Sequence, residues 1–173
     1  MKLQIKLKHQ IQALLTPLFL HGLGLFIFSL VFFTNSIEAP KIFQLIVYAS
    51  FAFSFLCLLI THVNYYLYER KRSYRFEENN FIITLNDMDF HYNHDDVSYI
   101  KIIKGGYEMY DYRRFETRRY TFFFPSYYFI EIILNNGNRI PITCFADSNL
   151  EILIKKIFSN INHVEDLKAI PII

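Results

Sequence analysis

With 173 residues the chain has room for one domain and a membrane segment, and its 53% hydrophobic content exceeds the ~45–50% usual for soluble proteins. The excess is local. Residues 1–68 carry only Lys2, Lys6, Lys8, Lys41 and Glu38 as charged groups, whereas 14 Lys/Arg and 15 Asp/Glu fall in residues 69–173. A near-neutral second part, in a chain of net charge +2, excludes a general electrostatic case for nucleic-acid binding.

The three lysines before residue 10 followed by an apolar run have the outline of a signal peptide. The run, residues 11–33, is 23 residues long against ~7–15 for a signal core, and no small-x-small cleavage site follows at Thr34-Asn35-Ser36. It reads as a retained helix, free of Asp, Glu, Lys and Arg and long enough at ~1.5 Å per residue to cross a ~30 Å hydrocarbon core. Pro17 either kinks this helix or marks its true start. His21 is its one titratable side chain. It suits a proton or ligand site, or a polar contact to a partner helix through Gln44, Ser50 or Ser54, and the lack of an acidic partner favours the contact. Gly22 and Gly24 are not at small-xxx-small spacing.

Residues 34–41 form a short loop, so a second apolar helix, residues 42–65, returns antiparallel to the first. It runs into Asn64-Tyr65-Tyr66-Leu67-Tyr68 and then the basic collar Arg70, Lys71, Arg72 and Arg75. Apolar span, tyrosine belt and basic collar are the order in which a transmembrane helix leaves the bilayer on the cytoplasmic side. Lysines precede the first helix, the collar follows the second, and the loop has one lysine. This bias predicts a multi-pass protein of the cytoplasmic membrane with both termini inside. Residues 1–68 are thus expected to be a transmembrane hairpin and residues 69–173 a cytoplasmic domain that folds without it.

From Tyr74 onward, short alternating segments predict strands at residues 74–77, 81–85, 88–92 and 97–104, with turns at residues 78–80, Asn86-Asp87 and 93–96. Gly105-Gly106 reads as a bend or bulge ending the last of these. A strand at residues 127–134, an Asn-Gly turn at residues 135–138 and a strand at residues 139–145 make a hairpin. Ser148 and Glu151 form a capping box before an amphipathic helix whose apolar face is Leu150, Leu153, Ile154, Ile157 and Phe158. The tail after Asn160 has no regular pattern, and Pro171 opposes one.

Two stretches carry candidate chemistry. His91-Tyr92-Asn93-His94-Asp95-Asp96 offers two imidazoles and two carboxylates, but its spacing spans a strand end and a turn, which favours a solvated turn over a metal site. The chain has no nucleophile elbow, phosphate-binding glycine loop or paired-carboxylate signature, so no catalytic, metal or cofactor site is assigned. Cys57 and Cys144 form neither a zinc pair nor an expected disulfide.

The second stretch, residues 107–120, sets Arg113, Arg114, Arg118 and Arg119 among Tyr110, Tyr112 and Phe115. Aromatics with a polar end and arginines suit a membrane interface with anionic headgroups or a docking face for another membrane protein. One alternative is a β-hairpin, with its tip near Phe115-Glu116, whose arginines pair with Glu108, Asp111 and Glu116 across strands; a third, RNA binding by stacking plus arginine, is disfavoured by the membrane tether and the near-neutral second part.

The strand hairpins between Phe81 and Tyr92, the segment Asp96-Val97-Ser98-Tyr99-Ile100, the hairpin around Asn135-Asn136-Gly137-Asn138 and the amphipathic helix together resemble a pleckstrin-homology (PH)-like domain over residues 74–160. A two-helix hairpin followed by such a domain resembles a class of bacterial membrane-anchored PH-like proteins. The resemblance implies an α+β membrane protein, a transmembrane hairpin followed by a PH-like antiparallel β-barrel or sandwich capped by one C-terminal helix. It implies a non-enzymatic module that binds the inner leaflet or a membrane-protein partner; the alternative is an accessory or immunity-type subunit that assembles with or inhibits a specific protein. Phosphoinositide-binding PH domains resemble each other in basic residues at the first strand pair, where this chain has Glu77-Glu78-Asn79-Asn80. That acidic turn argues against specific inositol-phosphate binding.

Overall fold

A computed structural model describes residues 1–33, 41–111, 116–121, 127–168 and 171–173. The order of elements is β1 (Lys2–Gln4), α1 (Leu7–Phe33), α2 (Lys41–Glu69), β2 (Arg72–Phe76), β3 (Asn80–Leu85), β4 (Met88–Asn93), a 3-10 turn (His94–Asp96), β5 (Val97–Asp111), β6 (Glu116–Thr121), β7 (Tyr128–Leu134), β8 (Arg139–Thr143), α3 (Leu150–Ile157) and β9 (His163–Lys168). Among the described residues these build two sheets and no closed barrel.

The two long helices lie antiparallel, with Phe28 against Phe51 and Phe32 against Phe43. α1 starts at Leu7 and continues through Pro17, so the proline does not mark the helix start. His21 makes the interhelical contact: its Nδ1–H donates to the Pro17 carbonyl at 2.8 Å, and the Ser54 hydroxyl donates to Nε2 at 2.8 Å. Gly24 sets the helix approach, because a Cβ there would stand 3.0 Å from the Phe51 ring.

The first sheet has the order β1-β2-β3-β4, every neighbour antiparallel. The N-terminal residues, expected to flank a membrane helix, are therefore a sheet edge: Leu3 is buried opposite Tyr74, and the Phe76 N–H donates to the Met1 carbonyl at 2.8 Å. Asn86 (φ 49°) and Asp87 (φ 65°) both take the left-handed conformation that a two-residue β3–β4 turn demands, which Asn and Asp tolerate better than other side chains.

β5 is the spine of the second sheet. Residues 97–104 pair antiparallel with β7, and residues 100–105 pair parallel with β9. Gly105-Gly106 does not end this strand. Pairing continues through Gly106 to Asp111 with β6, because the partner strand supplies a ladder on which glycine is tolerated. The tail, expected to be irregular, is the strand β9, and α3 is therefore not the last element. Lys101 reaches Asp166 at 2.7 Å, and Lys104 lies 3.1 Å from Glu151 and 3.5 Å from Glu165, so β5 is tied electrostatically to β9 and α3. The expected capping box does not form, because the helix starts one residue later than Ser148 requires. Glu151 is held by Lys155 at 2.7 Å and by Lys104, the N-cap is Asn149, and no side chain caps the helix. Burial pushes the Glu151 carboxyl up, but the two lysines outweigh it and leave it below the usual range.

α3 closes the two sheets against each other. Leu150, Ile154 and Phe158 of the expected apolar face are buried, with Leu153 and Ile157 partly so. Phe158 packs edge-on against Phe76 and Phe81 of the first sheet, and the Glu151 N–H donates to the Tyr128 hydroxyl of the second at 3.2 Å.

The hairpin and the domain share one core. Leu58, Thr61, Tyr65 and Glu69 recur on one face of α2, and all four are buried. The Tyr65 ring meets Tyr127, Phe129 and Phe145 at centroid distances of 5.8, 6.3 and 5.6 Å. The Thr143 N–H donates to Glu69 Oε1 at 2.6 Å, and the Tyr127 hydroxyl donates to Nδ1 of His62 at 2.7 Å. α1 joins through Ala13 and through His9, whose Nδ1–H donates to the Phe145 carbonyl at 3.3 Å. The Ile173 N–H donates to Asn64 Oδ1 at 3.2 Å and so closes on this joint too. Tyr65, expected in a membrane belt, is a core residue.

Against the independence expected of residues 70–173, the shared core predicts that this part depends on the helices. That fragment lacks Leu3, Leu58 and Tyr65 and should show no cooperative melt, while the full chain in mild detergent melts cooperatively in the tyrosine near-ultraviolet circular dichroism band. In the full chain Tyr65→Ala should cost about 3–5 kcal/mol, as for other large buried aromatics. A cooperative melt of the fragment would refute the shared core.

Candidate functional site

The end of the domain that meets the hairpin is built from the last turns of α2, the start of β7 and the root of the β5–β6 pair. Lys104 of β5 lies opposite Tyr128, the first residue of β7. Beyond it, among the described residues, positions 106–111 of β5 pair only with β6. A two-stranded arm thus leaves the sheet beside Tyr127, the residue whose hydroxyl meets His62 of α2.

This arm carries the arginine-aromatic stretch. Its register sets Tyr110 opposite Thr117, Arg118 opposite Met109 and Arg119 opposite Glu108. Of the expected cross-strand partners, only Glu108 faces an arginine position, because Asp111 lies opposite Glu116. The strands end at Asp111 and resume at Glu116, which brackets the expected tip. Tyr112, Arg113, Arg114 and Phe115 lie outside the described residues.

The collar divides. Arg70, Lys71 and Arg72 surround a polar recess completed by Ser73, Thr84, Asn86 and Asp87. Arg72 is committed within it: its guanidinium carbon stands 3.7 Å from the Tyr68 ring centroid, and Nη1 donates to the Tyr68 hydroxyl. Arg70 and Lys71 remain exposed. Arg75 lies further along β2, opposite Lys2 on one side and Ile82 on the other, away from the recess. The acidic turn at residues 77–79 follows β2 and so lies at the opposite end of that strand from the collar.

His91 and His94 do not converge. His91 is exposed on β4 opposite Ile82, whereas the His94 ring lies 4.8 Å from that of Phe158, and burial there lowers its pKa. The Asp96 carboxylate accepts the Asn93 N–H at 3.0 Å, as a turn residue does. Among the described residues no three His, Cys, Asp or Glu side chains form a metal-binding group. Cys144 is buried, which pushes its thiol up to about 12 and keeps it unreactive.

Two features had no signal in the residues taken singly: the sheet edge made by Lys2–Gln4 and the burial of Glu69. The second has a signal in spacing, because Leu58, Thr61, Tyr65 and Glu69 follow each other at helical intervals across the border between the apolar span and the collar.

No curated protein and no solved structure matches the chain significantly. The family model for the PH domain matches residues 2–149, a span that takes in both long helices and strands β1 to β8 but neither α3 nor β9. Sheet pairing, sequence pattern and this match agree, and the chain belongs to the PH domain family.

Proposed function

We propose that the protein is a non-enzymatic PH module anchored in the cytoplasmic membrane by α1 and α2, with both termini inside, and that it holds its β5–β6 arm against the inner leaflet. PH domains are in general binding modules without catalytic activity, and none of the residues above forms a reacting constellation. Anchoring draws on two helices of mean hydropathy 2.0 and 2.2 whose apolar side chains are mostly exposed, the reverse of a core helix in a soluble protein. Orientation draws on the lysines before α1 and the collar after α2. The observation that carries the reading is the shared core: the domain is packed onto the last turns of α2, and its arm leaves from that same end.

Near an anionic surface each Lys or Arg contributes about 1 kcal/mol, screened over a Debye length, so Arg113, Arg114, Arg118 and Arg119 together suffice to hold the arm down. The test uses the full chain in nanodiscs, with a nitroxide at Thr117→Cys in a Cys57→Ser background. Cys144 stays in place because it is buried. The label should be relaxed by lipid-borne paramagnets when the disc contains anionic lipid. High salt, or changing the four arginines to glutamine, should abolish the effect. Equal relaxation in the glutamine variant would mean that arginines do not hold the arm.

Orientation has its own test in intact cells. A cysteine placed at Asn162 should resist an impermeant maleimide, and labelling from outside would overturn the assignment.

A second reading, an accessory or immunity-type subunit, draws on a different surface. Among the described residues β4 is an unpaired sheet edge that exposes Met88 (58%) and Phe90 (42%), a surface suited to an added strand from a partner. Purification in mild detergent decides its weight: one stable co-purifying protein, lost on Phe90→Asp, supports it.

A further inference from the structure

The two helices are longer than a bilayer needs, and their surplus turns are not polar. At about 1.5 Å per residue, α1 (27 residues) and α2 (29 residues) extend roughly 40 and 44 Å, against ~30 Å of hydrocarbon. An anchor that merely carried its domain clear of the membrane would turn hydrophilic over the extra length. Here the extra turns have two unlike faces. One face of α2 is sealed in the domain by Leu58, Thr61, Tyr65 and Glu69. The other presents Val63 (52% exposed) and Leu67 (51% exposed), in line with Leu59 and Ile60 of the span. α1 repeats the pattern. His9 and Ala13 are buried, Gln12 and Thr16 line a polar recess with Tyr128 and Ser148, and Leu7 (70%), Ile11 and Leu15 (61%) form an exposed apolar stripe.

The apolar strip is therefore continuous with the exposed surface of both spans. It ends at exposed cations, Lys6 and Lys8 at the start of α1 and Arg70 and Lys71 after α2. Apolar surface that stops at a ring of lysine and arginine is how a protein marks the headgroup level. On these turns that level lies beside Tyr65 and Tyr127, within the height of the domain.

We propose that inner-leaflet lipid covers the strip formed by Leu7, Ile11, Leu15, Leu59, Ile60, Val63 and Leu67 up to the ring of Lys6, Lys8, Arg70 and Lys71. The PH domain is then seated in the headgroup layer and not held above it. A 40 Å apolar length reaches across ~30 Å of hydrocarbon by tilting, here towards the ~40° upper end of the usual range. This deepens the anchoring reading above and rests on it. It also places the root of the arm at the lipid surface, and it puts the acidic turn at residues 77–79, at the other end of β2, in water.

The experiment is site-directed spin labelling of the full chain in nanodiscs containing anionic lipid, in a Cys57→Ser background. Labels are placed one at a time at Leu45→Cys, Ile11→Cys, Val63→Cys, Leu67→Cys and Glu78→Cys, and collisions with oxygen and with a water-soluble nickel chelate are compared. All five are exposed positions, so the labels do not enter the core. The expected result is that Leu45, Ile11, Val63 and Leu67 favour oxygen and Glu78 favours nickel. Nickel preference at Ile11, Val63 and Leu67, with oxygen preference retained at Leu45, would overturn the inference and leave the anchor standing. Exclusion of both reagents at Val63 and Leu67 would also overturn it, because a second copy or another protein would then cover the strip. Nickel preference at Leu45 as well would sink the anchoring reading itself.

Discussion

A carboxylate with no exposed surface needs a partner, and Glu69 finds it in the N–H of Thr143. β8 is the last strand of its sheet, so this N–H faces away from the ladder and would otherwise be unpaired. This bond satisfies the Thr143 N–H and one of the two Glu69 oxygens, and it fastens the end of α2 to the domain. One turn earlier, Tyr65 fills the space between Tyr127, Phe129 and Phe145. Removing this seam would leave Thr143 unsatisfied and open a cavity along β7. The hairpin is therefore a structural element of the domain and not only a tether.

The constraint propagates through β7. All seven of its residues are buried, because its two faces are both covered. Phe129 turns to Tyr65 of α2, and Tyr128, on the opposite face, accepts the Glu151 N–H of α3. Apart from Glu131, its residues from Tyr128 to Leu134 are aromatic or aliphatic, as a strand covered on both sides requires. β5 then uses β7 as a base. It pairs with β7 and β9 along its first half and runs on past both to make the arm with β6. A strand rooted in a covered sheet gives this two-stranded extension a fixed origin.

The free edges of the sheets differ in a way that bears on partners. β8 carries Pro141, whose carbonyl accepts the Tyr74 hydroxyl at 3.2 Å, and its neighbour Thr143 is capped by Glu69. That edge is closed to further pairing. β1 is short. β4 has neither proline nor bulge and presents Met88 and Phe90, so among the described residues it is an edge open to a strand from another molecule.

Local interactions wrote the legible parts of this protein into its sequence. The two long apolar helices, the Asn86-Asp87 turn, the Asn-Gly turn with Gly137 at φ 83° and the apolar face of α3 each depend on residues within a few positions of one another, and each was readable from spacing alone. The PH-like order of strands followed from those turns. What the residues taken in order could not disclose depended on partners distant in the chain. Lys2–Gln4 is too short to announce itself and becomes a strand only because β2 lies alongside it. His163–Lys168 becomes β9 because β5 has a free edge and Lys101 and Lys104 attract Asp166 and Glu165. Gly105-Gly106 looked like an end because glycine weakens a lone strand, yet two flanking ladders carry the chain through it. Glu151 lies one position too early for a cap on Asn149 and pairs with two lysines instead. The tyrosine-rich last turns of α2 had the composition of a membrane belt, and composition cannot tell lipid from the aromatic interior of a domain. Only tertiary packing decided that Tyr65 belongs to the core while Leu67, two residues on, faces outward, because a helix turns about 100° per residue and the domain covers one side of it.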